Sequence, residues 1–174
     1  MEHLWRDRMS YILGAAQPPE GVCVFCEAPK HDDATVFILH RGRLAYVVMN
    51  IFPYNTGHVM VNPYQHVSTL EYLDYATLTE IMQLTKLSLA AIRLASNPNA
   101  FNLGANLGKA AGGGIEQHFH FHIVPRWQGD TNFMPIVAET RVLPESLEDS
   151  YARLKPAFEQ VMPKGENDQS GREI

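Results

Sequence analysis

Two cysteines in 174 residues are too few to staple a secreted domain, which excludes a disulfide framework and leaves the cytoplasm as the expected compartment. No window approaches the ~20 consecutive apolar residues of a membrane span. Positive charge is also scarce: 14 Lys and Arg against 19 Asp and Glu give a formal net charge of −5. Such a balance argues against non-specific binding to a nucleic-acid backbone or an anionic membrane. The opening stretch, 1–12, carries Glu2, Arg6, Asp7 and Arg8 among its apolar residues and lacks the apolar run of a signal peptide. Trp5, Met9, Ile12 and Leu13 fall instead at helical spacing. Neither an internal repeat nor a shift in composition divides the chain.

With 45% hydrophobic residues there is enough apolar surface for one core. We expect a single domain over 1–162 and a polar, disordered tail over 163–174. Ala34 to His40 reads as a strand, Arg41-Gly42-Arg43 as a turn and Leu44 to Asn50 as the second arm of a hairpin. After the Pro/Gly-punctuated loop 52–57, His58 to Asn62 reads as a third strand. Ser68, with Glu71 three residues on, matches a capping box. The longest helix is expected over Ala76 to Ala95, with Leu78, Ile81, Met82, Leu89 and Ile92 on one face as core. Leu84, Leu87, Ala91 and Leu94 form a second, roughly opposite stripe. A fourth strand begins at Phe101 and continues to Asn106, a fifth runs from Ile115 to Val124, and Asn132 to Val137 is a shorter extended piece. A final helix spans Leu147 to Val161. This order implies an α+β domain: an antiparallel sheet with helices on one side.

The functional signal sits in the fifth strand. His118, His120 and His122 recur at period two, so on extended backbone they share one face while Phe119, Phe121 and Ile123 take the other. Three adjacent imidazoles are poor core material. Neutral imidazole is a competent nucleophile, with one nitrogen attacking while a hydrogen bond to the other sets tautomer and ring angle. Just upstream, the glycines at 112–114 permit close approach of backbone N–H groups to an anion. Together these features suggest phosphate chemistry. Alternating histidines on a strand also suit a metal site, which is the competing reading.

The segment Gln117-His118-Phe119-His120-Phe121-His122-Ile123-Val124-Pro125-Arg126 resembles the signature of the histidine triad (HIT) superfamily of nucleotide hydrolases and transferases, His-Φ-His-Φ-His-Φ-Φ with Φ apolar. The similarity extends to Asn50, Gly57 to Val61, Asn106 to Gly114, and Trp127 with Asp130 to Pro135. The opening residues 4–12 resemble the bacterial branch similar to diadenosine tetraphosphate phosphorylases. This resemblance implies a HIT-like fold: a five-stranded antiparallel sheet, one long helix and shorter flanking helices. It implies that His120 attacks an α-phosphorus to form a nucleotidyl-histidine intermediate, released by water or by inorganic phosphate. His122 is then expected near the α-phosphate and leaving group, Asn50 at the ribose hydroxyls, and Asn106, Gly113 and Gly114 along the phosphate path. Many eukaryotic members carry Gln followed by Ser or Thr where this chain has Gly114 and Ile115. The pocket is wider for that loss of side chains, which favours an acceptor larger than water. The resemblance also implies a homodimer, for which a second apolar stripe on the long helix is suited.

Cys23-x-x-Cys26 reads either as a pair of reduced thiols or as half of a zinc site. In zinc-bearing relatives the other ligands map to His66 and His118, so structural zinc on Cys23, Cys26, His66 and His118 is the expectation. His3, His31 and His40 are assigned no role and His58 a structural one; Lys109 and Arg126 are ambiguous between solvent and phosphate. The leading function is an enzyme cleaving dinucleoside polyphosphates, diadenosine tetraphosphate foremost. A nucleoside phosphoramidate hydrolase, a nucleotide-binding regulatory protein with little catalysis, and a metal-storage module are the alternatives.

Overall fold

In the computed structural model, residues 21–112, 114–130 and 144–161 are described. The opening helix, Gly113, the extended piece over 132–137 and the tail lie outside them. Five strands form one antiparallel sheet: β1 (Ile38–Arg41), β2 (Ala45–Met49), β3 (Val59–Pro63), β4 (Ala100–Gly104) and β5 (Phe121–Arg126), in the spatial order β1-β2-β3-β5-β4. Two short helical turns, α1 (Val24–Glu27) and α2 (Asp33–Val36), precede the sheet. The long helix α3 (Tyr75–Ser96) and the final helix α4 (Leu147–Val161) complete the fold. No helix among the described residues is long and apolar enough to cross a membrane.

Alternation along β2 shows how the sheet is covered. Ala45, Val47 and Met49 join Val59, Val61 and Ile123 in the large core beneath the long helices, whereas Tyr46 and Val48 join Phe25, Ile38 and Met60 on the opposite face. Every residue of β2 is therefore buried, which is why its sequence is apolar throughout rather than alternating. The β3–β5 register pairs Met60 with His122 and Val59 with Ile123. Paired residues share a face, so His122 stands on the Met60 side, away from α3 and α4.

Several expectations from the sequence are corrected. The first arm does not begin at Ala34. Asp32 accepts the Ala34 N–H at 3.0 Å and caps α2, and Phe37 ends that turn in a left-handed conformation at φ 60° before β1 starts. Ser68 is not a cap: Thr69 precedes a 3-10 turn over Leu70–Tyr72, and α3 begins after Asp74, whose carboxylate takes the Thr77 N–H at 2.7 Å. On α3 the buried face lies between the two apolar stripes, through Ile81, Leu84, Thr85, Ser88, Ala91 and Ile92. Thr85 and Ser88 tolerate burial because their hydroxyls donate to the Ile81 and Leu84 carbonyls one turn back. Met82 is 49% exposed and is not core. The fourth strand ends at Gly104 instead of reaching Asn106.

The fifth strand starts at Phe121, not Ile115, and runs through Pro125. Pro125 pairs with Phe101 on β4 but lies past the end of the β3 pairing, so it sits where β5 has one strand neighbour. His118 and His120 thus precede the ladder on irregular chain. Their alternation survives nevertheless, because Phe119 still enters the large core.

Candidate active site and metal cluster

The Met60 face of the sheet and the segment 22–37 enclose a cavity of about 560 Å³. His120, His122, Asn50, Asn106 and Gly114, each expected at the site from the sequence, line it. Gly113 lies outside the described residues. Apolar walls come from Val24, Phe25, Val36, Ile51 and Met60 among others. Lys109 and Arg126 do not line it. Arg126 is held instead by Asp130, at 2.7 and 2.6 Å.

Hydrogen bonds to backbone groups define the tautomers. His120 Nδ1 lies 2.8 Å from the His118 carbonyl, which accepts only, so Nδ1 carries the proton and Nε2 keeps its lone pair. His58 Nδ1 is 3.0 Å from the Tyr54 N–H, which donates only, so here Nε2 carries the proton. That Nε2–H donates to His122 Nδ1 at 2.9 Å. His122 must then bear its own proton on Nε2, a buried atom with no hydrogen-bond partner among the described residues. The cavity consequently presents a bare Nε2 lone pair on His120 beside an Nε2–H on His122, with ring centroids 4.8 Å apart.

Electrostatics agree with these neutral forms. Burial holds His58 well below the ordinary histidine value, assisted by repulsion from His122 and His120. Burial likewise brings His122 down to about 4, with His120 adding to the effect, and lowers His120 although its bond to the His118 carbonyl opposes that. Tyr54 packs over His58 and His122 at centroid distances of 4.7 and 5.4 Å, and its hydroxyl accepts from Asn106 Nδ2 at 3.1 Å. Asn50 Oδ1 accepts the Phe52 N–H at 2.9 Å.

His58, expected to be structural, holds His122 through the Nε2–H bond, and nothing in its local sequence signals the contact. Gly57, at φ 73°, turns the chain into it. His31, assigned no role from the sequence, is exposed but lines the cavity.

The first histidine of the triad faces elsewhere. Cys23, Cys26, His66 and His118 bring their ligand atoms within 4.8 Å of one another. His118 Nδ1 is 3.3 Å from Cys23 Sγ, 3.4 Å from Cys26 Sγ and 3.3 Å from His66 Nδ1. Tetrahedral zinc with Zn–N of about 2.0–2.1 Å separates two nitrogens by roughly 3.3–3.4 Å. His118 donates Nε2–H to the Pro63 carbonyl at 2.9 Å, which leaves Nδ1 as a ligand atom and orients the ring. Burial and the neighbouring Cys23 thiol push Cys26 up to about 11, so a cation is needed to hold the Cys26 sulfur as a thiolate at neutral pH. The donor set and its geometry fit structural zinc, with all four positions filled by protein. Phe25, between the two cysteines in sequence, contacts both His118 and His120, at centroid distances of 5.5 and 5.0 Å.

The family model for the HIT domain matches residues 31–129, more than half of the chain. The chain belongs to the HIT-domain family. An AP-4-A phosphorylase from Mycobacterium tuberculosis is 39% identical over 160 residues, covering 86% of this chain and 80% of that protein. An adenosine 5'-monophosphoramidase from Schizosaccharomyces pombe is 30% identical over 104 residues, covering 60% of this chain and 74% of that one. Among solved structures, a Zn-bound HIT protein from Mycobacterium smegmatis superimposes with a TM-score of 0.63 at 25% identity, over 79% of this chain and 94% of its own. The resemblance to the phosphorylase branch expected from the sequence, and with it a HIT-family enzyme, is borne out.

Proposed function

We propose that this HIT-family enzyme cleaves dinucleoside polyphosphates, diadenosine tetraphosphate foremost, through a covalent nucleotidyl-histidine. The observation that carries the reading is the opposed protonation of two adjacent imidazoles in one cavity: a bare Nε2 on His120 and an Nε2–H on His122. His120 Nε2 attacks the α-phosphorus, forming a P–N bond as the bond to the bridging oxygen breaks. The His122 Nε2–H hydrogen-bonds that oxygen and stabilises the charge it gains, and ATP departs. The His58 Nε2–H keeps His122 in this donor tautomer. An acceptor oxygen next attacks phosphorus and releases His120: inorganic phosphate yields ADP, whereas water yields AMP.

Phosphate is the proposed acceptor, on two grounds: the AP-4-A phosphorylase relative, and glycine at 114 where a bulkier polar residue would narrow the phosphate path. In this reading Asn50 contacts the ribose, and Asn106, Gly113 and Gly114 follow the phosphates. Product analysis of diadenosine tetraphosphate turnover tests it. Phosphate-dependent formation of ADP with ATP supports phosphorolysis, AMP with ATP means hydrolysis, and no cleavage overturns the reading. Release of AMP from adenosine phosphoramidate with no cleavage of the dinucleotide would favour the phosphoramidase activity of the yeast relative.

Zinc on Cys23, Cys26, His66 and His118 is proposed as a structural ion that ties the amino-terminal segment to the catalytic chain; reduced thiol ligands of this kind suit the cytoplasm. We also propose a homodimer. The outer strand β4 leaves Leu103 48% exposed, and Met82 and Leu94 of α3 are 49% and 55% exposed. A self-complementary surface of this sort closes under two-fold symmetry. Light scattering at micromolar concentration should return about twice 19.6 kDa, and the monomer mass would overturn the dimer.

A further inference from the structure

The outer wall of the cavity is built from pieces too short to hold themselves. Segment 22–37 contains α1, a 3-10 turn over Ala28–Lys30 and α2, none longer than four residues, and helices of that length are not stable alone. One end is tied at Cys23 and Cys26 by their contacts with His66 and His118, the other by the Met49 N–H donating to the Phe37 carbonyl at 3.0 Å. Between Glu27 and Val36, the polar links from this wall to other elements, among the described residues, come from two cations. Arg41, at the end of β1, donates Nε to Asp33 at 2.7 Å, Nη1 to the Pro29 carbonyl at 2.7 Å and Nη2 to the His31 carbonyl at 3.0 Å. Lys155 of α4 adds a longer contact to Asp33 at 3.6 Å. Ala28, His31, Thr35 and Val36, on this same stretch, face the cavity.

We propose that Arg41 is a positioning residue for substrate: its guanidinium holds the 28–36 wall in the shape that receives the nucleoside, and so sets affinity without meeting the reacting atoms. The proposal rests on the nucleotide reading of the cavity. One planar fork reaches three acceptors in three directions, which a lysine ammonium at the end of a flexible stem does not reproduce. Without the fork, the wall must be ordered when substrate arrives, and that cost is subtracted from binding. Arg41 itself does not line the cavity, so its loss removes no substrate contact. Nor does it bond to His58, His120 or His122, so the chemical step keeps its groups.

Steady-state kinetics on diadenosine tetraphosphate and calorimetric binding of AMP, using the full-length protein and its Arg41→Ala and Arg41→Lys variants, test this. Expected are a rise of about tenfold in KM and in the AMP Kd, equivalent to about 1.4 kcal/mol, with kcat within about threefold of wild type. Arg41→Lys should behave like Arg41→Ala, and added guanidinium ion should restore part of the affinity of Arg41→Ala. Asp33→Asn, which removes only the charged acceptor, should raise KM by a smaller factor and serves where Arg41→Ala does not fold. Unchanged KM and Kd in folded variants, or a fall in kcat matching any rise in KM, would overturn the clamp while leaving the nucleotide reading intact. Absence of AMP binding and turnover in the wild type would overturn that reading, and the clamp with it.

Discussion

His58 donates its Nε2–H to Nδ1 of His122 across 2.9 Å, and this bond decides which nitrogen of His122 carries a proton into the cavity. His58 directly precedes β3 and His122 lies on the neighbouring β5, 64 positions away. His122→Ala should therefore slow turnover by about 10²–10³, the usual cost of removing one hydrogen-bond donor to a developing oxyanion. The loss should shrink for a nucleotide ester whose leaving group is a weaker base than ATP and gathers less charge on the bridging oxygen. His58→Leu should depress kcat in the same direction by a smaller factor, with KM little changed. Equal losses for strongly and weakly basic leaving groups would remove His122 from the leaving oxygen.

His120→Ala should abolish turnover while AMP binding remains measurable, because the P–N bond has no atom to form on but the cavity persists. Losing a nucleophile of this kind costs several orders of magnitude. Retention of more than about a tenth of the wild-type rate, a barrier change of only ~1.4 kcal/mol, would rule out the assignment. Rapid quench with labelled substrate should trap an acid-labile nucleotidyl adduct on the wild type and none on the variant.

Metal analysis of protein purified without chelator should find about one zinc per chain, the stoichiometry of one Cys₂His₂ site. Cys23→Ala or Cys26→Ala should lower Tm more than it lowers the rate of the folded remainder. Because Phe25 joins the cluster to His120, zinc removal should also perturb the His120 ring resonances by NMR. Metal-free protein with unchanged Tm would leave the thiols as ordinary side chains.

Stability should fall as pH drops below neutrality. Folded His122 holds its pKa down at about 4 and His58 is also depressed, whereas the unfolded chain protonates both near 6.5. Between those values the unfolded state binds more protons, so unfolding free energy decreases as pH falls through the window and levels off once the folded group also protonates. For His122 the full loss is on the order of 3 kcal/mol. Urea titrations from pH 7 to pH 4 check the sign. His122→Gln should flatten the profile, and an unchanged slope in that variant would place the pH sensitivity elsewhere.

Much of this site was legible in the residues alone. Period-two alternation assigned His118, His120 and His122 to one face and Phe119, Phe121 and Ile123 to the other, and this holds even though only Phe121 onward joins the ladder. Cys23-x-x-Cys26 with His66 and His118 anticipated a cluster whose ligand atoms do meet. What misled the reading was local competition. Asp32 caps a helical turn inside a stretch of strand-like composition, and Thr85 and Ser88 bury their hydroxyls by bonding backward, which hides the true buried face of α3 from a count of apolar residues.

The sequence by itself determined the family, the sheet with its long helix, and which residues gather at the cavity and the Cys/His cluster, because periodicity and short motifs are properties of neighbouring residues. Only the tertiary structure decided protonation. A tautomer depends on which group lies opposite each ring nitrogen. For His118 that is the Pro63 carbonyl, 55 residues away, and for His122 it is His58, 64 residues away. His58 and His120 meet backbone groups only four and two residues off, but in a chain conformation the fold sets. The same holds for the cavity wall: Arg41 looks like a turn residue until the fold sets three acceptors around its guanidinium.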